Sequence, residues 1–562
     1  MPPPVRRHSH RNTAIPLSEA TGKTRCANPH PQISVTSHQL IDLGICATYL
    51  IAITVFGIWI GRKESGTQEG YFLGGRKFGW FSIGCSVFAT NISITQFMSV
   101  SGMSRDIGLA SINNDLVGGL LMAISALFFV PIYIRSRLFT MPEFLARRYG
   151  PAARQVFGWV YLVQSVLQQP TGYYIGGLAL LGMFGFGNEH LPLACLIIGL
   201  TVGLYSVLGG LTAVVKTDVV QLGLLLVGGM LLSYMAVDRA GGWSALHAQL
   251  GTTHFELLLP RGTAMPWTAL PGIALHSCYF AFCSIHILQR VLGAQNEYHA
   301  RQGMLFAAWL KFLAIPLFAL PGIAAVVLLP QATGDATYAA LAREILPVGL
   351  SGLVLAGMLA ALMSSADSSV NAVACVVAAD IYPSIAKKPT EATGLRIGKW
   401  TGAALVVFAV VVAPHYQNLG TIYPFILRLG GFLLLPVGLC FLFGRFSTRV
   451  NAQGAIACLG IGSLLGLAYV VATSLPATKA SLPGWLTALH FYEMLPLFFV
   501  FNTAVLFGVS WLTPPPPPDR LAVLTERVAG VDTGAEGRPL WQSFNLWLAL
   551  FCGTLGLIYL VF

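Results

Sequence analysis

Apolar runs recur along this chain, each about as long as the roughly 20 residues a helix needs to cross a bilayer. Short polar stretches separate them. The pattern predicts fourteen transmembrane helices, near 39–61, 79–104, 109–134, 155–184, 190–208, 214–236, 268–289, 303–329, 346–382, 397–413, 419–443, 454–475, 490–512 and 543–562. The stretch 346–382 exceeds one crossing and is expected to tilt or to end in loops. The spans divide the chain into a tail over 1–38, a peripheral helix at 39–61, five helices over 79–236, five over 268–443, and three peripheral helices over 454–562. The tail is rich in Pro, Ser, His and Arg and is expected to be disordered. It holds no apolar run of signal-peptide length, so no cleaved leader is expected. A Pro-rich linker at 513–540, with the run Pro514 to Pro518, reads as an extended spacer.

Composition narrows the class. Hydrophobic residues make up 55% of the 562 and charged residues 10%, where a soluble protein carries about 25% charged. So little charge cannot cover that much apolar surface in water. The expected fold class is therefore an all-α polytopic membrane protein, and a soluble enzyme is excluded. The net charge of +11 has a membrane explanation, because Lys and Arg gather in cytoplasmic loops; with no basic stripe, no nucleic-acid partner is expected. If the first loop is cytoplasmic, alternate segments hold 21 Lys and Arg on the inner side against 5 on the outer side. This predicts a multi-pass protein of the plasma (inner) membrane with both termini extracytoplasmic. The basic tail (Arg6, Arg7, Arg11, Lys23, Arg25) runs against the pattern. The ten cysteines are scattered without zinc or redox spacing, so no metal other than Na⁺, no cofactor and no disulfide framework is expected.

Polar residues at membrane depth are costly, so they mark function or packed helix interfaces. Thr90, Asn91, Ser93, Thr95 and Gln96 fall in the middle of the second span and do not share one helical face, which predicts an unwound segment facing a cavity. In the ninth span, Ala361, Ser364, Ser365 and Ser368 do share a face. A stripe of hydroxyls and carbonyls suits a hard cation such as Na⁺, although such hydroxyls also bond back to their own helix. Asp367 lies beside them. Asp115 and Asp218 open the third and sixth spans, where a carboxylate can simply cap a helix. Lys311 lies inside the eighth, where a buried ammonium needs a partner. The halves 79–236 and 268–443 each begin with an interrupted helix, Thr90–Ser93 in one, and His276–Cys278 with Cys283–Ser284 in the other. Paired interruptions point to an inverted-repeat transporter with a midplane site.

Several motifs in order resemble the sodium/solute symporter family, which includes sodium/glucose cotransporters: Phe88-Ala89-Thr90-Asn91-Ile92 with Gln96-Phe97; Thr140 to Leu145 with Arg148-Tyr149; Gly209 to Val214 with Thr217-Asp218 and Gln221; Gln289-Arg290; Lys311; and Ala361 to Ser369 with Asp380-Ile381-Tyr382. The resemblance spans about 39–475. It implies a LeuT-like five-plus-five inverted repeat, with one peripheral helix before it and three after, and Na⁺-driven import by alternating access. It implies Na⁺ ligation by the carbonyls of Ala89, Ile92 and Ala361 and the hydroxyls of Ser364 and Ser365. A second Na⁺, which some members bind, would lie among Asp218, Ser364, Asp367 and Ser368, with Asp367 standing where those members have Ser or Thr. The positions that face sugar hydroxyls in the sugar-transporting members are Asn91, Gln96, Asp115 and Lys311, while among the further substrate positions Ser277 and Phe280 stand where those members have a binding Asn and a stacking Tyr, and Tyr423 stands near a sugar-binding Gln. The stacking platform departs from that pattern, with Phe280 and Ala281 where those members have Tyr and Trp. Arg428, one turn beyond Tyr423, is placed to answer an anionic substrate.

The expected function is thus a Na⁺-coupled symporter for a small polar solute, a sugar before inositol, a sugar acid, an amino acid or a monocarboxylate. The partners are the solute, Na⁺ and the lipid bilayer; the oligomeric state stays open. A sensor that binds without flux on the same fold also stays open. An intramembrane enzyme is disfavoured, because no His pairs predictably with Ser364 or Ser365.

Overall fold

The computed structural model describes residues 37–62, 66–419, 422–475, 478, 482–484, 489–522 and 539–562. Residues 1–36 of the tail expected over 1–38 and most of the Pro-rich linker lie outside them, and Ser37 and His38 open a helix rather than end a disordered tail. The described residues are helical, with no strand beyond two isolated bridges. Ten helices are long and apolar enough to span a membrane, or eleven when the bent pair Trp267–Phe282 and Ile285–Leu292 is taken as one span. The pattern-based division into fourteen is finer. It separates 190–208 from 214–236, and the helical stretch Leu191–Arg239 does divide between them, at a kink where Gly210 is non-helical. It also takes 79–104 as one span, where the structure has a break between Asn91 and Gln96.

The kink is at Gly210 (φ +64°). A Cβ there would stand 2.7 Å from the Tyr71 carbonyl, so the bend requires glycine both for its backbone angle and for the closeness of the neighbouring chain. Helix Leu350–Val376 runs through the centre of the bundle and is buried along nearly its whole length. Helices Ser37–Gly61 and Phe544–Val561 lie at the periphery, and large side chains such as Leu40, Ile51, Trp59, Leu557 and Leu560 are exposed on them, as lipid-facing helices require.

The first of these peripheral helices is fastened at both ends. Near its start Asp42 Oδ1 accepts the Gly349 and Gly352 amides at 2.8 and 2.9 Å, capping helix Leu350–Val376. At its end Gly61 packs so tightly on Gly209 that any Cβ would overlap its backbone.

Basic residues predicted to lie inside meet at one end of the bundle. Arg135 forms a two-pronged pair with Glu297 (2.8 and 2.8 Å). Arg154 pairs with Asp380 (2.5 Å), which also accepts from Thr140. Buried Arg148 donates to the carbonyls of Gly444, Ser447 and Val450. Pro514–Pro517 is neither helix nor strand and runs into the short helix Pro518–Ala522. Arg520 ties that helix back to the Ala146 carbonyl at 2.7 Å.

Candidate functional site

Helix Trp80–Asn91 stops where Ile92 turns extended (φ −93°, ψ 111°). Beyond it the Ser93 amide donates to Gln96 Oε1 at 2.9 Å and the Gln96 amide to Ser93 O at 3.0 Å. In a continuous helix these amides would bond to Ala89 and Ile92. The Gln96 side chain thus interrupts the helical ladder, and neither of these amides bonds to those two carbonyls. The helix resumes as a π turn, Gln96–Val100, and continues as Ser101–Ile107. The unwound segment expected from Thr90–Gln96 is present.

Facing the break is the serine stripe of helix Leu350–Val376. Ser364 Oγ is buried beside the Asp218 carboxylate, with no hydrogen bond of good geometry. Ser365 Oγ donates back to Ala361 O (2.9 Å) and Leu362 O (3.2 Å). Thr90 Oγ1 and Ser368 Oγ stand 3.1 Å apart and join the two elements.

Asp218, Ser364, Asp367 and Ser368 come together, but around a fixed positive charge. Arg290, fully buried, donates to Ser86 Oγ (2.6 Å) and Ser368 Oγ and pairs with Asp218 Oδ2 at 3.3 Å. Ser86 also donates to Asp218 Oδ2. Asp367 is held apart from the guanidinium by Tyr205 OH (2.5 Å) and Ser368 (3.1 Å).

A cavity with about 1120 Å³ of free space, counting its mouth, opens between the broken helices. Asn91, Gln96, Ser277, Phe280 and Lys311 line it, as does Ser365. Asp115 lies behind the wall and joins two of them, since Oδ1 accepts from Lys311 Nζ (2.6 Å) and from Gln96 Nε2 (3.0 Å). The ammonium predicted to need a partner therefore has one, and Asp115 is more than a cap. The Tyr423 side chain lies outside the described residues. Arg428 does not reach the cavity; it donates to Pro424 O and Thr473 O, and so serves to join two helices.

The wall also contains residues not singled out from the sequence. Gln168, Gln169 and Thr171 come from helix Pro151–Phe184, where Pro170 interrupts the ladder. Gln169 bridges to the Ala366 carbonyl at 3.1 Å. Three polar residues around a proline, inside an otherwise apolar span, were the available signal. Asn114, His276 and His286 add to the polar lining, as do Thr90, Ser93, Thr95 and Ser369. The helix that opens the second half of the core breaks at Cys283–Ser284 with a bend of 42°, at the second of the two interruptions read there.

Two broken helices meeting at a buried polar cavity, with hydroxyls and freed carbonyls beside it, define a secondary transporter of the membrane-embedded, alternating-access class. The sodium:solute symporter family model matches residues 71–462. The chain belongs to that family and is a Na⁺-coupled solute symporter and a multi-pass membrane protein. It is similar to the sodium/glucose cotransporter of Vibrio parahaemolyticus, 32% identical over 454 residues covering 74% of this chain and 82% of the relative. It is also similar to sodium/myo-inositol cotransporter 2 of Mus musculus, 30% identical over 560 residues covering 89% and 81%. Its fold matches that of a Na⁺-coupled sialic acid symporter in a substrate-bound outward-open state, with TM-score 0.71 at 22% identity over 84% of this chain and 98% of that one. Mhp1, a nucleobase-cation-symport-1 family transporter, matches at TM-score 0.51 and 17% identity, over 81% and 97%. The family consists of transporters rather than enzymes, and Na⁺ is its coupling ion.

Proposed function

We propose that the solute is a sugar, imported with Na⁺ by alternating access. The observation that carries this reading is the chemistry of the cavity wall. Asn91, Gln96, Gln168 and Gln169 offer paired amide donors and acceptors, which suit adjacent hydroxyls. Phe280 offers a ring face for C–H groups. Lys311 is matched by Asp115 at 2.6 Å, so the wall carries no surplus charge there to demand an ionic solute. The relatives that transport glucose and myo-inositol support a polyhydroxylated substrate.

In this reading Na⁺ sits at the break, ligated by the Ala89, Ile92 and Ala361 carbonyls and the Ser364 and Ser365 hydroxyls. Asn91, Gln96, Ser277, Phe280 and Lys311 contact the sugar, Asp115 orients Gln96 and Lys311, and Tyr423 closes the wall from the tenth core helix. Any second Na⁺ among Asp218, Ser364, Asp367 and Ser368 requires Arg290 to withdraw. The repeats run over 79–236 and 268–443, and the end of the bundle holding Arg135, Arg148 and Arg154 faces the cytoplasm, with both termini outside. Each Na⁺ entering down −100 mV contributes about 2.3 kcal/mol electrically.

The test is substrate-evoked current from the reconstituted protein, screening hexoses, inositol, sialic acid, proline and lactate in Na⁺ and then in choline. A current with hexoses, seen only in Na⁺, is expected. Currents with proline or lactate and none with any hexose or cyclitol would overturn the sugar reading while leaving symport intact.

A further inference from the structure

We infer that His276 contacts the solute directly and sets which hydroxyl pattern the cavity accepts. The inference rests on the sugar reading above. His276 is 4% exposed, and neither ring nitrogen has a hydrogen-bond partner among the described residues. It lies on helix Leu270–Phe282 and lines the cavity together with Ser277 and, one turn on, Phe280. A buried polar group without a partner is costly. One that lies in the wall of a binding cavity is satisfied when the cavity is filled.

The imidazole is positioned by packing rather than by hydrogen bonds. Its ring centroid is 5.1 Å from that of Phe280 and 5.9 Å, edge-on, from that of Tyr492. Gly430, in the π turn behind it, leaves the ring its room, since a Cβ there would stand 3.2 Å from His276 Nε2. Tyr492 belongs to helix Phe491–Leu512, outside the ten-helix core, and its hydroxyl donates to Asn114 Oδ1 at 3.1 Å. Asn114 also lines the cavity. A peripheral helix thus holds one face of the imidazole and a neighbouring wall residue in register. With both nitrogens uncommitted, a neutral imidazole presents one donor and one acceptor. The two nitrogens point away from each other, so each can take one solute hydroxyl, one accepting and the other donating, from separate positions on the solute. A deoxy analogue lacking either would leave a ring nitrogen buried and unpaired, which is the condition under which hydrogen-bonding sites discriminate strongly.

The experiment measures Na⁺-driven uptake into proteoliposomes of D-glucose, D-galactose, myo-inositol and the monodeoxy analogues of whichever is best transported. In the wild type, one monodeoxy analogue should show a KM about tenfold above its parent. In His276→Ala, the parent KM should rise by about the same factor and that discrimination should vanish, with maximal rate and Na⁺ half-saturation within about twofold of wild type. Tyr492→Phe keeps the ring but loses the bond to Asn114, and should raise KM by about threefold without altering Na⁺ activation. Should the alanine variant fail to fold, His276→Gln carries the comparison: its deoxy pattern shifts if residue 276 touches solute and matches wild type if it does not. An unchanged KM and deoxy pattern overturns this inference alone. Failure of the wild type to transport any hexose or cyclitol in Na⁺ overturns the sugar reading, and this inference with it.

Discussion

The Lys311–Asp115 pair makes a prediction that distinguishes a matched buried ion pair from two independent polar groups. Both side chains are almost fully buried, and Asp115 Oδ1 takes both of its bonds, from Lys311 Nζ at 2.6 Å and from Gln96 Nε2 at 3.0 Å. Its Oδ2 has no partner. Lys311→Met therefore leaves a buried carboxylate with one neutral donor, and Asp115→Leu leaves a buried ammonium with none of its present partners. Breaking a buried pair from either side costs about 3–5 kcal/mol. The double variant Asp115→Leu/Lys311→Met removes both charges and leaves only Gln96 Nε2 unpaired, at about 1–3 kcal/mol. The singles would sum to about 6–10 kcal/mol if independent, so the double should be less destabilised than either single. The assay is the apparent unfolding midpoint of purified protein in detergent, in Na⁺ without solute, so that lost substrate binding does not enter. The order expected is wild type, then double, then either single. A double variant with a midpoint shift equal to the sum of the two single shifts would refute the reasoning.

Three further outcomes follow from the geometry. Ser364→Ala and Ser365→Ala should each raise the Na⁺ half-saturation of uptake by about tenfold, because each removes an oxygen lone pair from the proposed ion site, the Ser365 hydroxyl giving only its hydrogen to Ala361 O and Leu362 O; an unchanged half-saturation in a Na⁺ titration would remove that serine from the ion site. Gly272→Ala should lower the unfolding midpoint by the equivalent of about 1–3 kcal/mol, because a Cβ there overlaps the Tyr492 carbonyl; a wild-type midpoint would show that the two helices pack less tightly than described. Asp42→Ala strips two amides of their acceptor and should cost about 1–2 kcal/mol by the same measurement, whereas Asp42→Asn, which keeps an acceptor oxygen, should lose less.

What the sequence disclosed, and what it did not, follows from the range of the interactions. The serine stripe was legible because helical periodicity puts residues 361, 364, 365 and 368 on one face with no knowledge of neighbours. The break at 92–95 was legible because its polar residues could not share a face. Lys311 announced its need for a partner, but the partner lies 196 residues away, and no local pattern connects them. Arg290 stood in a quoted motif without a role, since its contacts beyond its own helix come from residues 86, 218 and 368 on separate helices. Arg428 read as a candidate for an anion because the sequence does not show the Thr473 carbonyl that holds it. Gln168 and Gln169 lay in a mostly apolar span, where the polar residues around Pro170 were the sign of irregularity. His276 was seen as an interruption, but its lack of partners is a property of the assembled cavity.

The fastening of the first helix gives the lipid itself a part in the movement of the central helix. Helix Ser37–Gly61 stands in the bilayer with one end bonded through Asp42 to the start of the helix that carries Ser364 and Ser365, and the other set against the bend at Gly209–Gly210. Neither of those elements can shift along the membrane normal without carrying or straining a rod whose exposed side is apolar. The work of moving that rod depends on how well its length matches the hydrocarbon thickness, at fractions of a kcal/mol per Å. Bilayer thickness therefore enters the free energy of every step in which helix Leu350–Val376 moves, and a thicker or thinner membrane acts on this transporter as a mechanical ligand would.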